Sequence, residues 1–490
     1  MRNGNRPAAR LVASIAAICL VAGGAVLAGE TASATPTTIV NDTIWKDTSN
    51  QTMKCQGGNV SKFGSDYYWI CSDIADDGNG NWTGWNGVYV YKSGDLVNWV
   101  RQGTILAPSR DGAPSASNWV GRPSLLYNST SGKYVAIFEA GGGVSAATST
   151  TIAGNYTWIG RLPNTSGYTP IEINDISAFS DGSNAYVVGN NDKNNDQRLG
   201  GTWRLRPSDY LAIDTKVFEE TVGAREAHSI TKIGSTYYWF ASGLAGWYSS
   251  PTQYRTSTSL SGGWSSWATI ATTPSSNNSF NTQFDFIVPV VGSQGTTYVY
   301  AGDRYSQFTG QGPGYTAWFP LSFASGVPTI NGYTQWQIDT ATGTWSASTQ
   351  TNVLQNPGFE SGLSSWTTAG GTVQGWTTTS YKSQGAQSLN IWSANAYTSW
   401  LANSSATNLA AGTYTATAQI YAGGTWNTGV MQIYRGSTVI AQTNITAGAW
   451  HQISLTNVAV NQGDSLTVGF WIDAQPNAWF YVDDVRLTKN

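Results

Sequence analysis

Short apolar runs that alternate with polar residues recur along the first two thirds of the chain, and a turn precedes each run. The clearest repeats read KFGSDYYWICSD, TSGKYVAIFEA, DGSNAYVVGN, KIGSTYYWFASG and SQGTTYVYAGD. Each repeat contains a tyrosine, and these are Tyr68, Tyr134, Tyr186, Tyr238 and Tyr298. Their spacing of about 50 to 65 residues is typical of propeller blades. Because no helical period competes with the alternation, the pattern predicts an all-β fold with a five-bladed β-propeller over Thr38–Ser346. A pair of β-sandwiches is the alternative.

A second region begins after the sequence DTATGTWSASTQTN, where the composition changes. Residues 352–490 contain further alternating strands, such as GTYTATAQIYA and DSLTVGFWI. This alternation, over about 140 residues, predicts a β-sandwich of jelly-roll type.

The first 34 residues have the features of a secretory signal peptide. A basic start with three arginines precedes the apolar run LVASIAAICLVAGGAVLAG, and Ala32–Ala34 provides a small-residue cleavage site. An uncleaved membrane anchor is the alternative. Since no later run is long enough to span a bilayer, we expect a secreted, extracellular protein.

Because exported proteins commonly contain disulfides, export favours a disulfide between cysteines of this chain over free thiols. Cys19 lies in the signal peptide, which leaves Cys55 and Cys71. An even pair in an exported protein predicts one disulfide between adjacent strands. Two free buried thiols are the alternative.

Composition narrows the class of ligand. Of 490 residues 11% are charged, the formal net charge is −3, and 13% are aromatic. With no basic stripe, nucleic acid is not an expected partner. Many aromatic rings and few charges suit neutral sugars, although packing in β-sheet cores explains most of the rings equally well.

Polar residues stand just before apolar strands in three of the predicted blades. They are Asp175 in EINDISAFS, Glu226 in AREAHSI and Gln283 in FNTQFDFIVPV. Inner strands of a propeller surround one central pocket, so these side chains are expected to meet there. Each alone is more typical of a loop or capping residue, and the shared offset is what favours a site. His228, two residues after Glu226, would share its face of a regular strand.

Five phrases together resemble glycoside hydrolase family 43, and most closely its exo-β-1,3-galactanase branch. They are TIWKDTSNQTMKCQGGNV, GRPSLLYNSTSGKYV, NDISAFSDGSNAYVV, REAHSITKIGSTYYWFASGLAGW and NTQFDFIVPVVGSQGTTYVYAGDRY. In the second region NPGFESGLSSW, QSLNIWSANAY and AWFYVDDVRL resemble galactan-binding carbohydrate modules of family 61. The resemblance implies a glycosidase domain followed by a carbohydrate-binding module.

This resemblance implies catalytic roles for three residues. Glu226 matches the general acid that protonates the leaving oxygen, and Asp175 matches the carboxylate that orients it and raises its pKa. Enzymes of the family invert the anomeric centre. Gln283 matches a glutamine that the galactanase branch has in place of the aspartate base. Since an amide is a poor base, holding the attacking water is its alternative role.

The predicted substrate-binding residues are Gln56, Arg122, Glu139, Trp247 and Asp303, and of these Arg122 is the one that matches a sugar-contacting residue of the family. A salt bridge, a core position or a strand-end charge is the structural alternative for most of them. Two positions depart from the galactanases. Gly121 replaces a glutamate that contacts the sugar, and Gln56 replaces a histidine. By hypothesis, Glu139 returns a carboxylate to the pocket from the next strand.

In the predicted module the candidates for a sugar-binding face are Trp392, Tyr397, Trp400, Trp426 and Trp479. Two or three of them are expected to stack on sugar while the others fill the core. No cofactor is required, and a structural Ca²⁺ at Asp483 and Asp484 is the one ion that such modules suggest. The expected partner is a galactose-containing polysaccharide, and we expect a monomer that does not bind membranes.

The sequence thus predicts a secreted, inverting exo-glycosidase that releases galactose from galactan, with β-1,3-galactan of arabinogalactan as the first candidate. A galactofuranosidase or arabinofuranosidase of the same fold is one alternative, and a catalytically inactive galactan-binding protein is another. Removing residues 352–490 is expected to weaken polymer binding and to leave turnover of small glycosides intact.

Overall fold

Antiparallel β-sheets form the regular structure of the protein. The computed structural model describes residues 1, 36–41, 43–76, 82–166, 173–191, 198–273, 275–305, 314–347, 352–368, 370–383 and 387–490. These ranges contain no α-helix, so none of the described residues belongs to a helix that could cross a membrane. Apart from Met1, the predicted signal peptide with Cys19 lies outside these ranges.

Strand β1 (Thr37–Val40) precedes five sheets that follow one another along the chain. Sheet 1 contains β2 (Gln56–Phe63), β3 (Asp66–Asp76), β4 (Trp82–Ser93) and β5 (Val100–Leu106). Sheet 2 contains β6 (Val120–Asn128), β7 (Lys133–Ala140), β8 (Val144–Ser149) and β9 (Thr157–Arg161). Sheet 3 contains β10 (Ile173–Ser180), β11 (Ala185–Asn191), β12 (Leu199–Leu205) and β13 (Ile213–Glu219).

Sheets 4 and 5 complete the series. Sheet 4 contains β14 (Arg225–Ile233), β15 (Thr236–Gly243), β16 (Thr252–Ser257) and β17 (Ala268–Thr269). Sheet 5 contains β18 (Ala271–Thr273), β19 (Gln283–Val291), β20 (Thr296–Asp303), β21 (Thr316–Ala324) and β22 (Val327–Asn331). Its order is β18-β22-β21-β20-β19, with β18 parallel to β22. Strands β23 (Gln335–Asp339) and β24 (Thr344–Ala347) then form a three-stranded sheet with β1, in which β23 is the middle strand.

The repeats found in the sequence coincide with one hairpin in each of the five sheets. Every repeat tyrosine lies in the second strand of its hairpin, that is in β3, β7, β11, β15 or β20. The first strands β2, β6, β10, β14 and β19 contact one another in this order, and β19 also contacts β2. An apolar cluster lies between each pair of neighbouring sheets, including sheets 5 and 1. The five hairpins therefore follow one another in a ring, and their first strands line its inside.

One disulfide joins Cys55 and Cys71, as the sequence predicted. Cys55 directly precedes β2, and Cys71 lies in β3. Both residues are fully buried beside Trp69 in the cluster between sheets 5 and 1. The bond therefore fixes the beginning of β2, where Gln56 begins the strand.

Ten further strands follow in residues 352–490. They are β25 (Trp366–Thr367), β26 (Trp376–Thr378), β27 (Ser388–Trp392), β28 (Tyr397–Leu409), β29 (Gly412–Gly423), β30 (Trp426–Arg435), β31 (Thr438–Asn444), β32 (Gly448–Val460), β33 (Asp464–Ala474) and β34 (Trp479–Lys489). Sheet 6 has the order β25-β28-β33-β30-β31, and sheet 7 has the order β26-β27-β34-β29-β32. Both sheets contribute to a single apolar core. The contacts group all of residues 36–490 into one compact unit.

Replacing both Cys55 and Cys71 by alanine should destabilise the protein without changing its fold. The cysteines are 16 residues apart, and closing a loop of this size lowers the entropy of the unfolded chain by an amount worth about 3 kcal/mol. Denaturant unfolding followed by tryptophan fluorescence measures the loss. Reduction of the wild-type protein should reproduce it, and an unchanged midpoint would contradict the prediction.

Candidate active site

Each first strand of the ring carries a β-bulge close to its beginning. The pairing register shifts after Gln56 in β2, Gly121 in β6, Asn174 in β10, Glu226 in β14 and Phe284 in β19. Counted from the regular part of each hairpin, five cross-strand pairs occupy equivalent places: Gln56–Ser72, Gly121–Glu139, Asn174–Asn190, Glu226–Ser242 and Gln283–Asp303. Since a bulge bends its strand and redirects side chains, these five bulge pairs are where polar groups can converge.

Asp175 is the extra residue of the bulge in β10. Its backbone is left-handed, with φ 47°, as are those of Gly57, Arg122 and Ala227 at the same place in β2, β6 and β14. The predicted common offset for Asp175, Glu226 and Gln283 is therefore wrong by one residue for Asp175, because Asn174 holds the position equivalent to Glu226. An inserted residue cannot be located from apolar alternation alone.

In a regular strand Glu226 and His228 would lie on the same face. The bulge in β14 lies between them and separates their side chains. His228 is fully buried. Its Nε2 lies 2.7 Å from Oδ1 of Asn190, and its Nδ1 accepts a hydrogen bond from Trp239 at 2.9 Å. Burial lowers the pKa of His228 to about 3, so the ring is neutral and has a structural role.

Glu226 is the centre of the candidate site. Its carboxyl group is buried and accepts three hydrogen bonds. Oε1 accepts from Nε2 of Gln283 at 2.7 Å and from the Ala245 N–H at 3.1 Å, while Oε2 accepts from Nη1 of Arg198 at 2.7 Å. The structure thus brings Glu226 and Gln283 into direct contact from sheets 4 and 5.

Arg198 joins Asp175 to this group, and the sequence did not reveal it. Its Nη1 lies 3.5 Å from Oδ2 of Asp175 as well as 2.7 Å from Glu226. One guanidinium therefore bridges the two carboxylates assigned to catalysis. Arg198 directly precedes β12, at a place without apolar alternation, so the sequence pattern gave no signal for it; the scarcity of charge in the chain is the one feature that could have drawn attention to it.

Opposing effects set the proton affinity of Glu226. Burial raises the pKa of this carboxyl, and the nearby charge of Asp175 raises it further. The Ala245 N–H and the guanidinium of Arg198 act in the opposite direction, because they stabilise the ionised form. The net effect is a raised pKa, as a general acid requires.

Glu139 lies beside Asp175 on the other side from Glu226. Its Oε2 accepts a hydrogen bond of 2.8 Å from the backbone N–H of Asp175. Burial first, and the Asp175 charge second, raise the pKa of Glu139 to about 8. Glu139 forms a bulge pair with Gly121, so its carboxyl reaches Asp175 from the strand next to the glycine.

Trp119 occupies the space in front of Gly121. A Cβ on Gly121 would lie 2.3 Å from Cζ2 of Trp119, so a side chain at this position requires the indole ring to move. The ring of Trp119 contacts Trp82 and Trp247 edge-on at 5.8 and 6.0 Å. Trp247, a predicted substrate-binding residue, is partly exposed and also packs against Tyr305 at 4.9 Å. These four rings form an aromatic wall beside the carboxyl groups.

Arg122 and Asp303 lie deeper and connect the sheets. Arg122 is buried, donates from Nε to the carbonyl of Ile176 at 3.3 Å, and lies 3.6 Å from Asp285. Asp303 accepts the N–H of Gly57 at 2.9 Å, and burial raises its pKa to about 6. These contacts favour the structural alternative for both predicted residues.

Gln56 occupies the position equivalent to Glu226 in sheet 1. It is 2% exposed, and within the described residues its Nε2 has no hydrogen-bond partner. Two residues along the strand, the N–H of Gly58 donates to Asp285 at 2.9 Å. Buried amides are normally hydrogen-bonded, so the unpaired Nε2 of Gln56 is an exception among the described residues.

A cavity of about 460 Å³ opens beside Asp175 and Arg198. Its size suits a sugar residue with bound water. It is lined by Asn118, Trp119, Glu139, Gly141, Gly142, Asn174, Asp175 and Arg198. Hydroxyl-binding groups and one aromatic ring thus surround a space that reaches the partners of Glu226.

The aromatic candidates of the C-terminal region fall into two groups. Trp392 is 43% exposed and stands opposite the partly exposed Trp479 on sheet 7, so these two rings can present a surface to sugar. Tyr397 is buried and donates its hydroxyl to the carbonyl of Ala478 at 3.0 Å. Trp400 packs on Tyr434 at 5.2 Å and Trp426 packs on Phe480 at 4.8 Å. Tyr397 therefore has a packing role, while Trp400 and Trp426 are packed on one side and partly exposed.

The two aspartates suggested as a calcium site already have protein partners. Asp483 is fully buried and accepts the N–H and the hydroxyl of Ser383 at 2.8 and 2.9 Å. Asp484 pairs with Arg486 at 2.9 Å. Within the ranges that the structure describes, no group of three or more His, Cys, Asp or Glu is arranged to hold a metal ion.

Replacing Arg198 by alanine should raise the pKa of Glu226, because the cation that stabilises its ionised form is lost. A ¹³C NMR titration of the glutamate carboxyl groups measures this directly and does not depend on activity. Arg206→Ala is the control, since Arg206 pairs with Asp209 instead. An unchanged or lowered pKa in Arg198→Ala would refute the role assigned to this ion pair.

Gly121→Ala should destabilise the protein by roughly 1–3 kcal/mol, the usual cost of forcing extra atoms into a packed site. Trp119 is the side chain that has to move. Chemical unfolding measures the cost, with Gly94→Ala as control because nothing lies within 4 Å of a Cβ at Gly94. Equal stability of the two variants would show that Trp119 yields freely.

Comparisons with known proteins identify the fold of the chain. No protein-family model and no curated protein sequence matches the chain, but solved structures do. The exo-β-1,3-galactanase of Phanerochaete chrysosporium, solved with β-1,3-galactotriose, is 23% identical with a TM-score of 0.66, over 92% of this chain and 100% of that one. The exo-β-1,3-galactanase of Clostridium thermocellum is 23% identical with a TM-score of 0.56, over 92% and 100%.

A β-1,3-galactosidase of glycoside hydrolase family 43 also matches, at 19% identity with a TM-score of 0.53, over 92% of this chain and 95% of that one. At identities this low, the structural similarity shows the fold alone. The chemistry has to be argued from the residues of the site itself. The structure confirms at this level the resemblance seen in the sequence: the chain has the fold of the family 43 exo-β-1,3-galactanases and β-1,3-galactosidases.

Proposed function

We propose that this protein is a secreted, inverting exo-glycosidase that hydrolyses β-1,3-galactan and releases galactose. The observation that carries the proposal is the environment of Glu226. A buried carboxyl with a raised pKa is bonded to Gln283 and bridged by Arg198 to Asp175. This group lies on a fold shared with exo-β-1,3-galactanases, one of which was solved with β-1,3-galactotriose.

Glu226 acts as the general acid in this proposal. A carboxylic acid that keeps its proton near neutral pH can donate it to the leaving glycosidic oxygen. Asp175 supports this role through its negative charge, which raises the pKa of Glu226. Arg198 keeps both carboxylates in place, and its bond to Glu226 has to loosen when the acid is protonated.

Gln283 holds the attacking water in this proposal. Inverting glycosidases separate the acid from the group that activates water by about 6.5–9.5 Å, so that water and sugar fit between them. In the free protein Nε2 of Gln283 is 2.7 Å from Glu226. The sugar therefore has to enter between these side chains and replace their mutual hydrogen bond with bonds to substrate and water.

Glu139 and the aromatic wall hold the terminal sugar. The raised pKa of Glu139 makes its carboxyl a hydrogen-bond donor as well as an acceptor at neutral pH. Trp119 and Trp247 offer ring surface next to it. Trp119 fills the space in front of Gly121, where the sequence resemblance implies a glutamate, and a galactofuranoside or arabinofuranoside is therefore the second candidate substrate.

The remaining parts fit the same proposal. We infer that the ring of five sheets is a five-bladed β-propeller and that sheets 6 and 7 form a β-sandwich module. Trp392 and Trp479 are the ring surface of that module for binding galactan. Residues 1–34 serve as the signal peptide that directs the chain out of the cell.

Incubation of the mature chain with a panel of substrates tests the proposal. The panel contains β-1,3-galactan, β-1,4-galactan, and nitrophenyl galactofuranoside, galactopyranoside and arabinofuranoside. Proton NMR should show α-galactose as the first product from β-1,3-galactan, since inversion of a β-linkage gives the α-anomer. Turnover of a furanoside alone would select the second candidate, and galactan binding without turnover would identify an inactive binding protein.

Glu226→Gln should lower the turnover found in that panel by roughly 10²–10⁴-fold, which is the usual contribution of a general acid. Binding of galactan should persist, because the amide keeps the size of the side chain. Glu360→Gln is the matched control, since Glu360 contacts Gln387 in the C-terminal region. Full activity of Glu226→Gln would rule out Glu226 as the acid.

A further inference from the structure

The turn that leads into Gln283 has an unusual backbone. Ser279, Phe280 and Asn281 have φ values of 50°, 61° and 59°, so three successive residues other than glycine are left-handed. Such residues normally occur singly, because the Cβ of an L-residue crowds the carbonyl group there. Gln283 begins β19 two residues later.

The ring of sheets holds this turn from one side. Oδ1 of Asn281 accepts from Nδ2 of Asn278 at 2.7 Å, and the hydroxyl of Thr282 donates to the carbonyl of Ser279 at 2.7 Å. The ring of Phe280 covers Gly332, where even a Cβ would collide with it. These contacts fix the beginning and middle of the turn.

The C-terminal region holds the end of the turn from the other side. Nδ2 of Asn281 donates to the carbonyl of Ser383 at 2.9 Å, in a buried position. Ser383 is itself held through its N–H and hydroxyl by Oδ2 of Asp483. Both Ser383 and Asp483 are fully buried. A chain of hydrogen bonds therefore runs from β34 to the residue that precedes Thr282 and Gln283.

We propose that the C-terminal region is a structural part of the active site, in which Asp483 and Ser383 act through Asn281 to position Gln283. Strained backbone persists only where its surroundings over-determine it. Without the bond from Asn281 to Ser383, the left-handed turn can relax toward ordinary conformations. Gln283 then leaves the position in which its amide bonds to Glu226.

This inference rests on the proposed function for its effect on catalysis, but its effect on Glu226 can be measured separately. The amide N–H of Gln283 stabilises the ionised carboxyl, so displacing Gln283 raises the pKa of Glu226. Asn281 and Asp483 are positioning residues, since neither contacts Glu226. The inference also reverses the expectation that removing residues 352–490 leaves turnover of small glycosides intact.

Asn281→Asp in the full-length chain tests the link to the C-terminal region. Aspartate keeps the acceptor for Asn278 and tolerates a left-handed backbone, but it loses the donor to Ser383. Asn277→Asp is the control, because Asn277 is exposed four residues earlier and undergoes the same charge change. With β-1,3-galactotriose we expect kcat to fall at least tenfold in Asn281→Asp with little change in KM, and the control to match the wild type.

A ¹³C titration of Glu226 accompanies the kinetics. Its pKa should rise in Asn281→Asp and stay at the wild-type value in Asn277→Asp. A wild-type pKa and wild-type kcat in a folded Asn281→Asp variant would overturn the inference. If the wild-type protein does not cleave the trisaccharide, the proposed function fails on this substrate while the titration still decides the positioning role.

Asp483→Ala provides a second test at the far end of the hydrogen-bond chain, in case Asn281→Asp does not fold. Asp473→Ala is its control, since Asp473 bonds only to Asn427 among the hydrogen bonds seen at its side chain. The pKa of Glu226 should rise in Asp483→Ala and not in Asp473→Ala. Equal titration curves for both variants and the wild type would show that the C-terminal region does not reach Gln283.

Discussion

The candidate site depends on one backbone constraint, which is the extra residue in the first strand of each hairpin. A regular strand sends successive side chains to opposite faces, which would keep Glu226 apart from partners on other sheets. The bulges bend the five inner strands at the same level. Side chains from sheets 3, 4 and 5 can then meet although their positions in the chain are far apart.

A few charged side chains determine the chemistry of the site, although the chain as a whole contains few charged residues. Arg198 and Asp175 act on Glu226 in opposite directions, and both are closer to solvent than Glu226 itself. Burial has the largest effect on Glu226 and Glu139. Exclusion of water is therefore the main cause of the raised pKa of both carboxyl groups, and the neighbouring charged side chains adjust these pKa values.

The sequence predicted what local patterns encode. Turn residues followed by alternation located the hairpins, and an even pair of cysteines located the disulfide. Glu226 and Gln283 stood out because they precede apolar strands. Arg198 could not be found this way, because it lies outside any alternating run. The position of Trp119 over Gly121 was equally hidden, since it depends on how a loop folds back onto a strand.

The packing of Trp119 against Gly121 also governs how this protein can evolve. A side chain at position 121 meets the indole ring of Trp119, so a larger residue there requires Trp119 either to shift or to be replaced by a smaller residue. Steric contact therefore couples the residues that positions 119 and 121 can hold.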